Sequence, residues 1–231
     1  MNFDFPVEII RTERSKSASI EIEDDTVKVT VPKNLSDQRI EELIKNRTVW
    51  IRQKLKIQTE SIRPKAKEYV NGETFSYLGR NYRMKCVTGS TGGVKLKNGY
   101  LTVPTESDTT GSHYESSVKA ALKEWYRSRA LDKLNEKTQR YSSIIGVSPK
   151  SVDVKEYKSR WGSCSSTGDV SYNWRIIIAP HHIVDYIVVH ELCHLIEHNH
   201  GPRYWKHVER VIPSYKNCRE WLKINGDTLV V

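Results

Sequence analysis

Apolar and polar positions alternate twice in the first half of the chain, and each alternation ends in the tripeptide Thr-Val-Pro. The first runs from Ala18 to Val31 around Asp24-Asp25, and the second covers residues 94–103 around Asn98-Gly99. Alternation with a period of two around turn residues is typical of a β-hairpin, and Asn-Gly is a preferred two-residue turn. We therefore predict two hairpins.

Each predicted hairpin is followed by a segment with helical periodicity. The second of these helices is expected from about Tyr114 to Leu134, and the first has Ser36 as its N-cap. The order can reflect an old duplication or two ordinary β-β-α units, and the sequence does not decide between them. The apolar stripes that define the helices are Ile40, Leu43, Ile44, Ile51 and Leu55 in the first, and Val118, Ala121, Leu122 and Trp125 in the second.

Further strands and helices complete a predicted α+β fold. A connector at residues 62–64 and an Asn71-Gly72 turn precede short strands near 74–78 and 82–87. Strands are expected at 152–157, 160–165 and 171–178, with a turn at Gly168-Asp169, and Pro180 opens a helix. Two more helices are expected at 203–212 and 213–224. This order indicates an N-terminal α+β region at 1–110 and a catalytic domain at 111–231.

The most specific chemistry lies in the third of these helices, where His190, Glu191 and His194 form the pattern H-E-x-x-H. Residues four apart on a helix lie on one face about 6 Å apart along the axis, so both imidazoles can bind one tetrahedral Zn²⁺. Glu191 can then act as the base that takes a proton from a zinc-held water. The flanking apolar residues predict a buried helix, where His and Glu are costly unless they are paired or bind a metal. An ordinary amphipathic helix is the alternative.

Two histidines compete for the role of third ligand. His198 lies on the same helical face, but it is about 12 Å along the axis from His190, too far for both to bind one ion. His200 becomes reachable if the helix breaks near Asn199, and Asn199 and Gly201 are typical of helices that end in a left-handed turn. We therefore expect His190, His194 and His200 to bind one zinc ion per chain, with His198 solvated or outside the ligand set.

Composition and charge narrow the class of protein. The chain has 231 residues, a net charge of +9 and a pI near 9.3. It has no apolar run of about 18 residues and its N-terminus lacks the pattern of a secretory signal, so we expect no membrane span and a cytoplasmic location. The four cysteines Cys86, Cys164, Cys193 and Cys218 are scattered, which favours reduced core residues over a disulfide framework. Cys193 is expected to be a small buried side chain and not a ligand.

The positive charge also permits association with nucleic acid. Basic and aromatic residues alternate in one segment, at Lys123, Trp125, Tyr126, Arg127 and Arg129. The lysines are spread along the chain, however, so a solvated helix face is the favoured interpretation of this segment.

A strand beside the metal helix can bind an extended peptide by adding it to the sheet. The segment from residue 160 to residue 173 supplies the candidate substrate contacts Arg160, Trp161, Ser163 and Asn173. Packing in the core or sheet is the alternative for Trp161 and Trp174. Beyond the metal motif, Tyr204, His207 and Tyr215 are candidates to contact substrate by donating a hydrogen bond to the oxyanion, with packing as the alternative for Tyr204 and Trp205.

Four segments together resemble the YgjP-like family of zinc metallopeptidases, which is related to the SprT-like and WLM proteases. They are the R-W-G-S-C segment from Arg160, the N-W-R segment from Asn173 that ends in Ala179-Pro180, the H-E-L-C-H-L segment from His190, and the N-H-G-P-R-Y-W segment from Asn199. The resemblance extends from the Ser15-Lys16 region onward. Gly201 stands where relatives often have Ser, and Tyr204 where Phe is common.

The resemblance implies a minigluzincin-like zinc-peptidase core, a mixed sheet with the H-E-x-x-H helix and C-terminal helices, preceded by a β-hairpin and helix region. It implies His190, His194 and His200 as ligands, Glu191 as catalytic base and a protein or peptide substrate. Two alternatives remain open. One is a metal-dependent nucleotide (UTP-type) pyrophosphohydrolase, against which stand the lack of a Walker motif and the preference of three-histidine sites for zinc over magnesium. The other is a DNA-associated SprT-like protease.

Overall fold

The chain forms two compact α+β units, Met1–Arg63 and Pro64–Val231, in a computed structural model. The structure describes residues 3–13, 18–23, 26–60, 66–89, 92–106 and 111–231, without the side chains of 57–60 and 112. Mixed sheets and helices occur in both units, so the predicted α+β class is confirmed.

The first unit is a three-stranded sheet with one helix. Strands β1 (Val7–Thr12) and β2 (Ser19–Glu23) flank the central strand β3 (Thr26–Pro32), and α1 follows at Asp37–Glu60. The antiparallel pairing of β2 with β3 confirms the first hairpin, although its Asp24-Asp25 turn lies outside the described residues. Strand β1, parallel to β3, was not predicted.

Helix α1 begins and packs as its sequence indicates. The Ser36 hydroxyl accepts a hydrogen bond from the backbone N–H of Arg39 at 3.4 Å, which satisfies one of the unpaired donors of the first turn. Ile40, Ile44 and Ile51 are fully buried. They share a core with alternate residues of β3, which all point to one side of the sheet. Leu43 and Leu55 lie at the edge of this core.

The described residues of the second unit form two sheets and four α-helices. Strands β4 (Thr74–Tyr77), β5 (Arg80–Thr88), β6 (Lys95–Lys97) and β7 (Tyr100–Thr105) form a sheet in the order β4-β5-β7-β6. Strands β8 (Ser151–Lys155), β9 (Gly162–Cys164) and β10 (Asp169–Asn173) form another in the order β8-β10-β9. The helices are α2 (Ser112–Ile145), α3 (His181–Cys193), α4 (Pro202–Val211) and α5 (Tyr215–Asn225), with 3-10 helices at Trp174–Ile178 and Gly226–Thr228.

The same strand arrangement occurs in all three sheets. In each, one strand pairs in parallel with the second strand of a following hairpin: β1 with β3, β5 with β7, and β8 with β10. The first strand of each hairpin, β2, β6 or β9, is then antiparallel to that central strand. The arrangement of a hairpin followed by a helix, which the sequence predicts twice, therefore occurs a third time, and the third occurrence leads into helix α3.

Helix α2 is longer than predicted. It continues beyond Leu134 to Ile145 and ends at Gly146, whose φ of 81° is the left-handed conformation that glycine adopts most readily. The added part buries polar side chains: Lys137 pairs with Asp185 at 2.5 Å, and the hydroxyls of Thr138 and Tyr172 lie 2.9 Å apart. An apolar stripe could not reveal this added part, because two of its three buried side chains, Lys137 and Thr138, are polar, and only Tyr141 belongs to the hydrophobic core.

The strand predicted at 171–178 is wrong in its second half. Strand β10 ends at Asn173, and the apolar run from Trp174 to Ile178 forms a 3-10 helix. The Asn173 side-chain oxygen accepts a hydrogen bond from the N–H of Arg175 and caps this helix. A short buried apolar run is compatible with either structure, so only the cap distinguishes them.

The structural division of the chain differs from the predicted boundary at residue 110. Residues 64–110 belong to the second unit, where Phe75, Met84, Leu101 and Val103 share one core with α2 and α3. Whether residues 111–231 alone carry the catalytic function stays a prediction.

The basic segment on α2 does not expose its aromatic residues. Trp125 and Tyr126 are 7% and 0% exposed, so the aromatic residues of the basic segment on α2 pack in the core and only its charged side chains face solvent.

All four cysteines are free, with Cys193 and Cys218 buried as expected and Cys86 and Cys164 half-buried. In the described part of the chain, no helix has the length and apolar character needed to cross a membrane.

The turn between β4 and β5 contacts the segment that enters the metal helix. The backbone N–H groups of Leu78 and Gly79 donate hydrogen bonds to the carbonyls of Ile177 and Ile178 at 2.8 and 3.3 Å. Gly79 has a φ of +78°, and a Cβ at this position would lie 2.8 Å from the Cα of Pro180.

Replacing Gly79 with Ala is therefore expected to lower the free energy of unfolding by about 3 kcal/mol, from left-handed backbone strain and a clash with backbone atoms. The control is Gly99→Ala in the β6–β7 turn, where φ is +80° but nothing lies within 4 Å of the added Cβ. Strain alone predicts a loss of about 1 kcal/mol there. Urea unfolding of both variants measures the difference, and equal losses would contradict the proposed contact.

Candidate metal centre

Helix α3 carries the H-E-x-x-H motif through the core of the second unit. Nine of its residues are buried, among them Val188, Val189 and Leu192, which are fully buried. A helix that is apolar on every side must be surrounded by protein, and α2, β9, β10, α4 and α5 pack around this one. The predicted burial of the motif is confirmed: the exposed residues of α3, His181 and His182, lie in its first turn, and His190 is half-buried in its last.

The helix tightens where the motif ends. The N–H of His194 donates to the carbonyls of Glu191 and Leu192 in place of the carbonyl of His190, four residues back. This 3-10 closure leaves the His190 carbonyl without a helical donor. The hydroxyl of Tyr204, on α4, donates to it at 2.8 Å. The hydrogen bond therefore joins α4 to the end of the metal helix.

The chain between α3 and α4 returns His200 to the motif. The helix ends at Cys193, and a turn at residues 194–196 redirects the chain before α4 begins at Pro202. The helix does break, but it ends at Cys193, before the predicted position near Asn199, and the expected cause is wrong: neither Asn199 nor Gly201 has a positive φ, and Gly201 is extended at φ −80° and ψ −179°. A tight turn, in which the Gly201 N–H donates to the Asn199 carbonyl at 2.6 Å, reverses the chain instead.

His190, His194 and His200 each offer one ring nitrogen to a common point. These nitrogens lie within 4.8 Å of one another, and the Nε2 atoms of His190 and His200 are 3.2 Å apart. Two nitrogens bound to one tetrahedral zinc at about 2.0–2.1 Å are about 3.3 Å apart. The three side chains thus fit a zinc ion by both donor type and spacing. Among the described residues this is the group with metal-ligand geometry, and it excludes His198 and Cys193.

A second group of contacts holds each imidazole in place. The Nδ1 of His194 lies 3.2 Å from the carbonyl of Glu197, to which it donates when its Nε2 carries the lone pair. The Nδ1 of His190 is 3.5 Å from the hydroxyl of Tyr186. The Trp205 ring stacks on the His200 ring at 5.5 Å, and its indole N–H donates to the His200 carbonyl at 3.1 Å.

The histidines favour the neutral state that a metal requires. Burial lowers the pKa of His190 to about 3, with further contributions from His194 and His200. Burial also lowers the pKa of His194 and of His200, and the positive charge of Arg219 adds to the effect on His200. Neutral imidazoles keep a lone pair for coordination at neutral pH.

Glu191 lies beside this cluster with its side chain almost completely enclosed. It is 4% exposed, and burial raises the pKa of its carboxyl to about 8, while the charge of Arg160 opposes the shift. Gly162 on β9 packs directly against it, since a Cβ on Gly162 would lie 2.5 Å from Oε1 of Glu191. Glycine at this position makes room for the carboxylate.

The backbone of β9 is held beside Glu191 by its neighbours. β9 is antiparallel to β10, with Gly162 opposite Tyr172 and Ser163 opposite Ser171. Upstream of β9, the Asn173 side-chain amide donates to the carbonyls of Tyr157 and Arg160 at 2.9 and 3.2 Å. These contacts fix the loop that delivers Gly162 to the site.

The predicted substrate residues differ in how exposed they are. Arg160 is exposed, and Ser163 is half-buried with its hydroxyl 3.2 Å from that of Tyr157, so both stay candidates for substrate contact. Trp161 is half-buried against the core and Gly226, which leaves its role a prediction.

Contact of Asn173 and Tyr204 with substrate stays a prediction, and both side chains are buried and engaged within the protein. Asn173 is 3% exposed and its amide group is fully used in the contacts described above. Tyr204 is 0% exposed, and its hydroxyl is committed to the His190 carbonyl. Tyr215 is likewise buried, with its ring stacked on Trp205 at 5.1 Å. Both tyrosines act in packing, the alternative considered for Tyr204, and His207 as an oxyanion donor stays a prediction.

Several contacts of the site were missed by the sequence interpretation. They involve Tyr186, Gly162, Trp205 as a ring on His200, and Arg219, whose guanidinium lies 4.5 Å from the centre of the Trp205 ring. Tyr186 precedes His190 by one helical turn, so its position on the same face as His190 could have been predicted from the sequence. The others depend on tertiary contacts.

No curated protein matches this chain. The crystal structure of the metallopeptidase zymogen of Pyrococcus abyssi abylysin is similar over 39% of this chain and 94% of its own, with 22% identity and a TM-score of 0.36. The sequence profile of the YgjP-like metallopeptidase domain matches residues 16–225. The chain therefore belongs to the YgjP-like metallopeptidase family.

Proposed function

We propose that the protein is a zinc-dependent peptidase, with His190, His194 and His200 as the ligands of one zinc ion and Glu191 as the catalytic base. The single observation that carries the proposal is the enclosed Glu191 carboxylate beside three imidazoles whose nitrogens have the spacing of a zinc site. When bound, the zinc supplies a Lewis acid that polarises the scissile carbonyl and acidifies the attacking water.

Glu191 performs the proton transfers in this proposal. A bound zinc ion would favour the ionised form of this carboxyl and so oppose the effect of burial on its pKa. The Oε1 of Glu191 then accepts the proton of the attacking water and later gives it to the amine that leaves when the C–N bond breaks. None of the described residues donates a hydrogen bond to this carboxylate, so both oxygens remain free for the water and the amine. Gly162 on one side restricts the carboxylate to a narrow range of positions, which favours transfer along one path.

Strand β9 provides a support for an extended peptide. It is an edge strand of the sheet β8-β10-β9, and no other described strand pairs with its outer side. An edge strand presents free backbone N–H and C=O groups that can pair with a substrate strand. Because Gly162 lies both on this edge and against Glu191, a peptide paired with β9 passes beside the catalytic carboxylate.

Glu191→Gln is expected to retain about one zinc per chain and to lose peptide hydrolysis by about 100-fold to 10,000-fold, because the amide cannot accept the proton. Zinc content by atomic emission and cleavage of unfolded casein measure the two effects, and UTP serves as a second substrate. Full casein cleavage by the variant would exclude the proposed mechanism. Release of pyrophosphate from UTP that depends on Glu191, without casein cleavage, would favour the nucleotide hydrolase instead.

His200→Ala is expected to weaken zinc binding by more than about 100-fold, since removing a ligand costs at least as much as removing a residue that supports one. His198→Ala is the matched control: it changes an exposed histidine two residues away that lies outside the ligand cluster. Competition with a chromophoric chelator gives both affinities. Loss of zinc in His198→Ala with retention in His200→Ala would reverse the ligand assignment.

Gly162→Ala is expected to reduce kcat by about 100-fold or more while zinc remains bound, because the added methyl group takes the space of Oε1 and displaces the carboxylate. Gly93→Ala is the control, since nothing lies within 4 Å of a Cβ added there. Casein hydrolysis and zinc content are compared for both. A Gly162→Ala protein as active as Gly93→Ala would show that the position of Glu191 is not restricted in this way.

A further inference from the structure

Two exposed arginines near the metal centre have no acidic partner. Arg160 precedes β9, and Arg219 lies on α5. In the described part of the chain, no carboxylate lies within 4.0 Å of either guanidinium. Around Arg160, Glu156 is bound to Lys123 and Arg175.

The surroundings of Arg219 also lack a free carboxylate on its own helix. The residues one turn before and after it are Lys216 and Lys223, and the adjacent Glu220 pairs with Lys223 at 2.8 Å. Two like charges at these positions repel Arg219 from its own helix surface. Its guanidinium instead lies 4.5 Å from the centre of the Trp205 ring, which stacks on His200.

The two positive charges act on different members of the site. Arg160 lies two residues before Gly162 and its charge acts on Glu191. The guanidinium of Arg219 lies 4.5 Å from the centre of the Trp205 ring, and its charge acts on His190 and His200. One unpaired cation therefore lies toward the catalytic base and the other toward the third ligand.

We infer that the site selects peptides with carboxylate groups close to the scissile bond, which Arg160 and Arg219 bind. Guanidinium groups form paired hydrogen bonds with carboxylates, and an exposed unpaired arginine offers this interaction without first breaking an internal ion pair. The carboxylate can belong to an acidic side chain or to a chain terminus. This inference rests on the proposed peptidase function and adds a substrate class to it.

The test measures binding separately from hydrolysis. Zinc-loaded Glu191→Gln protein is titrated into two fluorescent peptides of equal length, one with Asp and Glu around a central apolar pair and one with Asn and Gln in their place. We expect the acidic peptide to bind at least about tenfold tighter at low salt, and the preference to shrink at high salt. A version of each peptide with an amidated C-terminus separates side-chain carboxylates from the terminal one.

Substitutions in the same background assign the preference to the two arginines. Arg160→Gln and Arg219→Gln are each expected to reduce the binding preference for the acidic peptide about fivefold. Arg219→Lys is expected to retain most of this preference, because it keeps the positive charge. Arg140→Gln is the matched control, because Arg140 also lies near an aromatic ring, that of Tyr141, at 5.5 Å, while its charge acts on no residue of the metal centre. An equal loss in Arg140→Gln would overturn the inference.

Hydrolysis of the same peptides by the unmodified protein distinguishes the two proposals. Equal binding of the acidic and amide peptides, with both cleaved, would overturn the acidic preference and leave the peptidase in place. An acidic preference in binding that depends on Arg160 and Arg219, with no cleavage of any peptide, would support the inference and refute the peptidase.

Discussion

The hydrogen bond from the Tyr204 hydroxyl to the His190 carbonyl joins α3, which carries His190, to α4, which begins just after His200. It exists because the last turn of α3 tightens and leaves that carbonyl unpaired. The bond fixes α4 against α3, and α4 in turn carries Trp205, which holds the ring and carbonyl of His200. A single buried donor thus couples the end of one helix to the position of a residue ten places further along the chain.

Local chemistry made much of the fold predictable. The Ser36 cap, the Asn98-Gly99 turn and the spacing of His190 and His194 depend on residues within one turn of each other, so their structures follow from sequence alone. His200 was also identified locally, since a helix cannot continue through that segment and still bring a third ligand to the metal. The left-handed turn expected there is absent, because a 3-10 end and a tight turn produce the same reversal.

Long-range contacts account for what the sequence did not reveal. Gly162 and Glu191 are far apart in the chain, and a glycine in a short strand does not indicate that a carboxylate needs its space. Asn173 is a polar residue of the kind that often contacts substrate. Its amide group, however, donates to two carbonyls and caps the 3-10 helix. The last third of α2 was missed for a related reason: two of its three buried side chains are Lys137 and Thr138, whose partners lie on other elements.

The turn at Leu78 and Gly79 has a consequence for how the protein can be divided. Its two backbone N–H groups pair with the carbonyls of Ile177 and Ile178, just before Pro180 opens the metal helix. A fragment that begins at residue 111 would keep every residue of the metal centre, yet it would leave these carbonyls unpaired and the apolar faces of α2 and the 3-10 helix uncovered. The smallest piece that contains the chemistry is therefore shorter than the smallest piece that keeps these carbonyls paired and these apolar faces covered.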